Sequence, residues 1–551
     1  MAAFSLIKGL LFSKEFRPVA IAATIFWVGC VLFALQRYFN FYPTYVAFDQ
    51  GIFNQVFWNS LHGRWFESSL SSTESINVLV DGEAPAVFYR RLGQHFTPAL
   101  LLWVPYYALV RSPAGLSVLQ ITLMTAAGLV LYALARHYHP PILAGLIAIS
   151  FYAANAVIAP TLANFHDLSQ LPLYLFGAFW AIEKRKWPLF WGLVGLTLLV
   201  REDTGIVLFG IGLYLLLSRR HPWVGVGVCG LSVAYVLLAT TVLMPMFSED
   251  ISRRFMVEQF GQYTNNQEAS TVEVLWAIAR QPQKLLQELV SPPDRTLNYL
   301  LGQWLPLAFV PALSPAAWVL VIFPLTKIFM RQDPTALSLH LRYALTVVPG
   351  LFYGTILWWA QRPQMFQPRV RQFWQVCIGL ALVLTLTSNP NRALSIVIPD
   401  SFQPWVYASP ARQWQHAQAV RSLMGRIPPD ASVSASGYIV AHLSNRREIV
   451  RYPELLIQGD DQQVRRVEYL IVDLWYPQLF QAAFEDERQT LQTMANQVAN
   501  WVARDQYGLL EFRDGVALLR HRTPADAAAV SAWEAFQKTI DQPVLEDAGK
   551  G

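Results

Sequence analysis

Apolar runs dominate the first 390 residues. They cover 18–35, 116–135, 142–159, 171–182, 188–218, 224–243, 300–330, 342–360 and 374–387. A helix needs about 20 mostly apolar residues to cross a hydrocarbon core about 30 Å thick. The run 188–218 is too long for one crossing and carries Arg201, Glu202 and Asp203 at its middle, so it reads as two short helices meeting at a polar turn. The run 300–330 divides in the same way at Ser314-Pro315. The count comes to about 11 crossings. The piece 99–110 is shorter, is interrupted by Pro105, and is expected to lie at the interface or to re-enter.

Charge sets the orientation. Lys8, Lys14 and Arg17 precede the first run. Lys184-Arg185-Lys186, Arg219-Arg220 and Arg362, Arg369 and Arg371 fall in later connections, which makes those ends cytoplasmic by the positive-inside rule. No small-x-small site follows the first run, so it reads as a retained span. The N-terminus is then cytoplasmic and an odd number of crossings carries the C-terminus outside. Lys327 and Arg331 violate the rule, because this count places them outside.

Three regions interrupt the apolar pattern. In the first outer loop, 39–98, apolar residues at Phe53, Val56, Phe57 and Leu61 recur at helical spacing after Asp49, which predicts an interfacial helix with an oily face toward lipid. The segment 246–299 has mixed charge, including Glu249, Asp250, Arg253, Arg254 and Glu258, and is expected to hold an interfacial helix or a lid. Beyond 399, ordinary charge density, a helical pattern at 416–424 and short β-rich runs at 432–436, 469–473 and 515–519 predict a small soluble α/β domain over 400–525. Residues 526–551 read as a loose tail. The expected division is thus a transmembrane domain 1–399, the α/β domain, and the tail.

Composition agrees with a polytopic membrane protein, with 54% hydrophobic residues and 14% charged ones against about 25% charged in soluble chains. The net charge of +5 is spent on topology, and nucleic acid is not an expected partner. Cys30, Cys229 and Cys377 all fall in apolar runs without CxxC or Cys/His spacing, so neither a disulfide nor a cysteine metal site is expected.

The polar residues that remain collect on the outer side: Asp49, His62, Arg64, His95, His166, Asp167, Arg201, Glu202, Asp203 and Arg342. Singly, each has a structural reading. Asp49 can cap its helix, a histidine can satisfy a backbone group, and Arg201 can pair with its own neighbours. Their one-sidedness points to a site.

The stretches that carry these residues resemble a known family. They are Phe48-Asp49-Gln50-Gly51 through Arg64, Gly93-Gln94-His95-Phe96-Thr97-Pro98, Asn164-Phe165-His166-Asp167, Arg201-Glu202-Asp203 and Arg342-Tyr343. Together they look like the bacterial membrane family called domain of unknown function 2079, over roughly 18–390 with a weaker match in 429–473. That family in turn resembles the GT-C glycosyltransferases, the class of protein O-mannosyltransferases and of the aminoarabinose transferase of lipid A. The resemblance implies a mainly α, GT-C-type protein of the bacterial inner membrane. It also implies a site at the outer face, a polyprenyl-phosphate sugar as donor, and an unidentified glycan, lipid or protein as acceptor. An acid in the first outer loop would act as base, and Asp49 is the matching position. Two departures stand out. Asn54 occupies the place of a second, metal-pairing acid, so no metal or other cofactor is expected, although a divalent ion stays open. Arg342-Tyr343 replaces an expected His-Tyr pair.

The chemistry is consistent with the residues themselves. Sugar transfer from a lipid phosphate needs a base on the incoming hydroxyl and positive charge on the departing phosphate. Asp49 can supply the first, and Arg64, His95, Arg201 or Arg342 the second. His62, His166, Asp167, Glu202 and Asp203 would organise the site or meet the acceptor. Two readings from other classes compete: a transporter or lipid flippase, suggested by the split helices at Arg201 and Ser314, and a membrane scaffold without chemistry.

Overall fold

The computed structural model describes residues 14–43, 47–250, 261–263, 271–331 and 334–540. Lys8, Arg253, Arg254 and Glu258 of the expectations above lie outside them. The chain divides into two compact units. One takes the chain up to Ala34 together with Arg91–Asn391, and the other takes Leu35–Arg90 together with the residues from Arg392 onward. Residues 35–90, expected to belong with the membrane part, are therefore folded into the C-terminal unit.

The first unit is helical. Among the described residues, Arg17–Phe39, Pro113–Tyr138, Pro222–Met246, Arg342–Ala360 and Pro368–Thr387 are long and apolar enough to cross a membrane; Pro141–Ala153 with Asn155–Leu162, bent by 44°, adds a sixth if taken as one span. Pro98–Leu109, Trp187–Val200, Thr204–Leu217 and Pro315–Phe329 are apolar but shorter. Ile21, Ile25, Phe373, Val376 and Val383 are exposed, as lipid-facing side chains are. The segment 300–313, expected as one short crossing, is irregular. A helix ends at Trp304, a turn follows over Leu305–Leu307, and Val310–Leu313 forms a single helical turn. Pro306 and Pro311 remove backbone donors there, and Ala308 and Phe309 adopt positive φ.

Two breaks follow from capping chemistry. Arg201 is extended (φ −166°, ψ 153°) and ends helix Trp187–Val200. The Thr204 hydroxyl hydrogen-bonds in the region of the carbonyls this break frees, 2.6 Å from Thr197 O and 2.8 Å from Arg201 O. Ser314 caps the next break, its Oγ accepting the Ala317 N–H at 3.2 Å. Helix Thr204–Leu217 packs on Pro222–Leu238 and on Pro315–Phe329. Glycines let the first pair approach closely: a Cβ on Gly212 would stand 2.8 Å from the Cys229 backbone nitrogen. At the end of helix Trp187–Val200 remote from Arg201, Arg220 holds Glu183 through both guanidinium nitrogens at 2.9 and 3.0 Å. The Tyr353 hydroxyl donates to the same carboxylate at 2.5 Å.

The second unit contains a five-stranded sheet. We number its strands β1 (Val433–Ala435), β2 (Ile449–Arg451), β3 (Tyr469–Asp473), β4 (Tyr507–Arg513) and β5 (Val516–His521). The order is β2-β1-β3-β5-β4, with β2, β1 and β3 parallel and the β4–β5 hairpin antiparallel. All five residues of β3 are buried, as expected for a central strand covered on both faces.

Helix Ala47–Leu61 corrects the interfacial expectation. Phe48 and Ile52 join a core with Leu70, Val433, Ile439, Val440, Ile471, Val516 and Leu518, and Gln50, Asn54, Gln55, Asn59 and Ser60 are buried too. A Cβ on Gly51 would lie 2.6 Å from Val440 Cγ1, so glycine permits the contact with helix Gly437–Leu443. The Asn54 amide donates to Ser444 Oγ and Asn445 Oδ1 at 2.8 and 2.7 Å. Gln55 donates to the Arg446 and Arg447 carbonyls at 3.1 and 3.2 Å and accepts from the Leu70 N–H at 3.1 Å. A helix ringed by buried amides needs protein partners on all sides, and lipid offers none.

Part of the expected tail is also folded. Asp526 caps helix Ala527–Gln537 by accepting the Ala528 and Ala529 N–H groups, each at 2.9 Å. Trp533 of that helix is buried, and its ring centroid lies 5.4 Å from that of Phe512.

A buried charge ties helix Pro410–Met424 to the ends of β3 and β5. His416 is fully enclosed, with Nε2 2.7 Å from Asp473 Oδ2 and Nδ1 2.9 Å from Asp514 Oδ2, and its ring stacks on Trp475 at 4.3 Å. Arg412 grips Asp514 with both terminal nitrogens at 2.8 and 2.6 Å. Burial alone would lower the imidazole pKa, but the two carboxylates raise it from 6.5 to about 9. A raised histidine stabilises the fold fully below its unfolded pKa, and that contribution disappears as pH rises through the folded value. Hydrogen-exchange protection of β3 and β5 in the full-length protein, corrected for intrinsic exchange, is therefore expected to fall between pH 6.5 and about 9. In His416→Leu that pH dependence should be absent.

Candidate functional site

The break between helices Trp187–Val200 and Thr204–Leu217 gathers one group of charges of the first unit. The loop before helix Pro98–Leu109 brings in His95, whose Nδ1 is 3.0 Å from Glu202 Oε1. The Phe96 N–H donates to Glu202 Oε2, also at 3.0 Å. Arg201 Nε lies 3.4 Å from Glu202 Oε1 and 3.6 Å from Asp203 Oδ1. Lys327, from the last turn of helix Pro315–Phe329, pairs with the other oxygen of Asp203. Arg331 and Arg342 both lie over the Tyr343 ring, 4.4 and 5.6 Å from its centroid.

Gln120 shapes the neighbouring turn from within a membrane helix. Its amide lies 3.1–3.4 Å from the carbonyls of Pro160, Thr161, Ala163 and Asn164, and its oxygen accepts the His166 N–H at 3.0 Å. The result is a hydrogen-bonded corner at Asn164-Phe165-His166-Asp167. The turn Arg342–Thr346 packs against the turn Asp167–Gln170, and Asp167 acts electrostatically on both His95 and Arg201.

These surroundings divide the labour of the ionisable groups. Burial and the nearby Arg201, Arg91 and Arg342 hold the His95 pKa well below its usual value, so the ring is neutral and Nδ1–H donates to Glu202. Burial would raise Asp203, but Lys327 and Arg201 outweigh it and keep the carboxylate ionised. Glu202 is pushed up by burial against the pull of Arg201. The side chain of Glu202 is 1% exposed and that of His95 21%. Glu202 is thus sealed behind the histidine, which is the member a ligand can reach.

Of the residues singled out from sequence, His95, His166, Asp167, Arg201, Glu202, Asp203 and Arg342 belong to this unit. Asp49, His62 and Arg64 belong to the other. Asp49 is half-buried in the first turn of its helix. His62 is exposed, with Nδ1 2.7 Å from the Trp58 carbonyl. Arg64 stands 5.5 Å over the Trp58 ring, in the field of Arg447, Asp460 and Glu67. Sequence reasoning passed over Lys327, Arg331 and Gln120 as site residues. Lys327 and Arg331 had announced themselves by violating the positive-inside pattern, and Gln120 as a lone amide in an apolar run. Among the described residues, no group of three His, Cys, Asp or Glu is arranged to hold a metal ion.

A family model described as "Predicted membrane protein (DUF2079)" matches residues 37–518. The chain belongs to this family. No curated protein matches the sequence. Among solved structures, the crystal structure of ArnT from Cupriavidus metallidurans bound to undecaprenyl phosphate is similar over 90% of this chain and 97% of that one, at 10% identity and a TM-score of 0.45. This member of the DUF2079 family has one unit with several helices long and apolar enough to cross a membrane and a second unit that contains strands.

The Asp203–Lys327 pair gives a direct test of the cluster. Removing one member of a buried ion pair costs about 3–5 kcal/mol when it strands the other, and less here because Asp203 keeps Arg201 at 3.6 Å, whereas replacing both with apolar groups is often neutral. In lipid nanodiscs, Lys327→Met should markedly lower the thermal midpoint, and Lys327→Met combined with Asp203→Leu should recover most of it.

Proposed function

We propose that this protein is an integral membrane glycosyltransferase of GT-C architecture that moves a sugar from a polyprenyl-phosphate donor to an acceptor hydroxyl at the outer face of the bacterial inner membrane. The reading rests chiefly on the cationic cluster, with Arg201, Lys327, Arg331 and Arg342 concentrated at the ends of apolar helices. Charge there is costly unless it serves a partner, and a lipid phosphate at headgroup depth is an anion of the right kind and place. Arginine suits that role because its charge does not titrate and its fork can hold two oxygens.

In the proposed step, the acceptor oxygen forms a bond to the anomeric carbon while the bond from that carbon to the phosphate oxygen breaks. The electron pair leaves on the phosphate, where Arg201 and Arg342 offset the added charge. The hydroxyl proton passes to a carboxylate, and Asp49 is the proposed base. Its support is the first-loop motif, in which Asp49 is a half-buried residue. Neutral His95, with Nδ1–H held by Glu202, offers Nε2 as an acceptor to a sugar hydroxyl, and the phosphate is left to the arginines. Arg64 is kept as a further phosphate ligand, and His62, His166 and Asp167 as organising residues. The proposal has the N-terminus in the cytoplasm and the C-terminal unit outside.

Two measurements test this. Asp49→Asn removes the proton acceptor and keeps the size of the side chain. The purified variant should fold normally and transfer sugar from an undecaprenyl-phosphate donor about 10²-fold or more slowly than the parent. An unchanged rate would remove Asp49 from the reaction. For orientation, a cysteine at Gln458, in a protein otherwise free of accessible thiols, should react with a membrane-impermeant maleimide in spheroplasts. Protection until lysis would invert the topology.

A further inference from the structure

The bend in the broken span places an amide where a membrane helix would ordinarily exclude one. Helix Pro141–Ala153 gives way to Asn155–Leu162 at Ala154, which is extended. Asn155 follows at once, and its Oδ1 is buried without a hydrogen-bond partner among the described residues. It borders a cavity of about 350 Å³ whose other polar lining comes from Arg295, Asn298, Tyr299, Ser338 and His340, within the size range of about 300–1,000 Å³ typical of small-molecule sites.

The walls are fixed. The Asn391 amide donates to the carbonyls of Ala159 and His340 at 2.8 and 3.3 Å, tying the 334–340 segment to helix Asn155–Leu162. Tyr299 is buried against Phe329 and accepts a hydrogen bond from Gln303 at 3.2 Å. His340 lies two residues before Arg342, and the turn Arg342–Thr346 packs on helix Asn155–Leu162. The cavity therefore adjoins the cationic cluster within one unit.

The lining selects a chemical class. Leu337 and Leu339 add apolar surface, but an acyl or prenyl chain would cover the polar groups of Asn298, Ser338 and His340 without giving them partners. Two amides, a hydroxyl, an imidazole kept neutral by burial and a tyrosine can each donate to or accept from adjacent hydroxyl groups. We propose that this cavity is the subsite for a hexose-sized sugar, whose hydroxyls are read by Asn155, Asn298, Ser338 and His340. Resting on the glycosyltransferase reading above, the proposal assigns the cavity to the sugar of the lipid-linked donor, with the phosphate on the Arg342 side. Arg295, exposed at the rim, would meet an anionic substituent.

The full-length protein in nanodiscs should be examined by saturation-transfer-difference NMR with methyl glucoside, methyl mannoside, methyl galactoside and methyl galactosaminide. Undecaprenyl phosphate binding should be measured separately by native mass spectrometry. At least one glycoside should show saturation that falls at least tenfold in Asn155→Leu and in Asn298→Leu, while both variants bind undecaprenyl phosphate like the parent. That lipid binding also reports that the variants are folded, and Asn298, being exposed, tolerates the change. If no glycoside is saturated, or if saturation is the same in both variants, the sugar subsite is overturned while the phosphate reading stands. Site-dependent glycoside binding without undecaprenyl phosphate binding would support the subsite and overturn the lipid donor.

Discussion

Three consecutive ionisable residues at the junction of two apolar helices set the main constraint on the membrane unit. Arg201, Glu202 and Asp203 are all buried, and burying them without partners would cost several kcal/mol each. The structure answers with partners from distant parts of the chain: His95 and the Phe96 amide for Glu202, Lys327 for Asp203. Each partner fixes an element. The loop 91–97 cannot leave Glu202, and helix Pro315–Phe329 must end beside Thr204–Leu217. The same ionic economy holds the Glu183–Arg220–Tyr353 group in place at the other end of the helices.

The C-terminal unit solves a different problem by different means. A three-residue parallel strand such as β1 offers few ladder bonds, and the unit compensates by recruiting a helix from far back in the chain. Helix Ala47–Leu61 supplies Phe48 and Ile52 to the core, while Asn54 and Gln55 satisfy polar groups of residues 444–447 that would otherwise be buried alone. Much of the motif around Asp49 thus has a structural purpose. Gly51, Asn54 and Gln55 are explained by packing and hydrogen bonding.

The contrast between the two polar groups of the membrane unit bears on function. Glu183 is satisfied by a guanidinium fork and a tyrosine hydroxyl, a closed arrangement suited to holding helices together. Around Arg201, a partly accessible histidine, arginines over a tyrosine ring and an adjoining polar cavity form an open arrangement. A closed ion pair reads as architecture, and an open one beside a cavity reads as a place for a ligand.

Hydropathy and charge by themselves determined that this is a multi-span membrane protein with an α/β unit near its C-terminus. Those properties follow from the local cost of placing each side chain in hydrocarbon, which is nearly additive along the chain. The break at Arg201 was legible for the same reason, and the turn at Ser314-Pro315 was legible too, whereas the capping hydrogen bond of Ser314 was not. Only the tertiary structure decided where the first loop belongs. Helix Ala47–Leu61 has the spacing of an interfacial helix, and burial on all sides depends on partners about 390 residues away, which periodicity does not encode. It also decided which outer residues meet. Sequence could list His95, Arg201 and Arg342 beside His62 and Arg64, but membership in one cluster is a property of packing. Lys327, a misfit in the charge pattern, found its reason only in the carboxylate of Asp203.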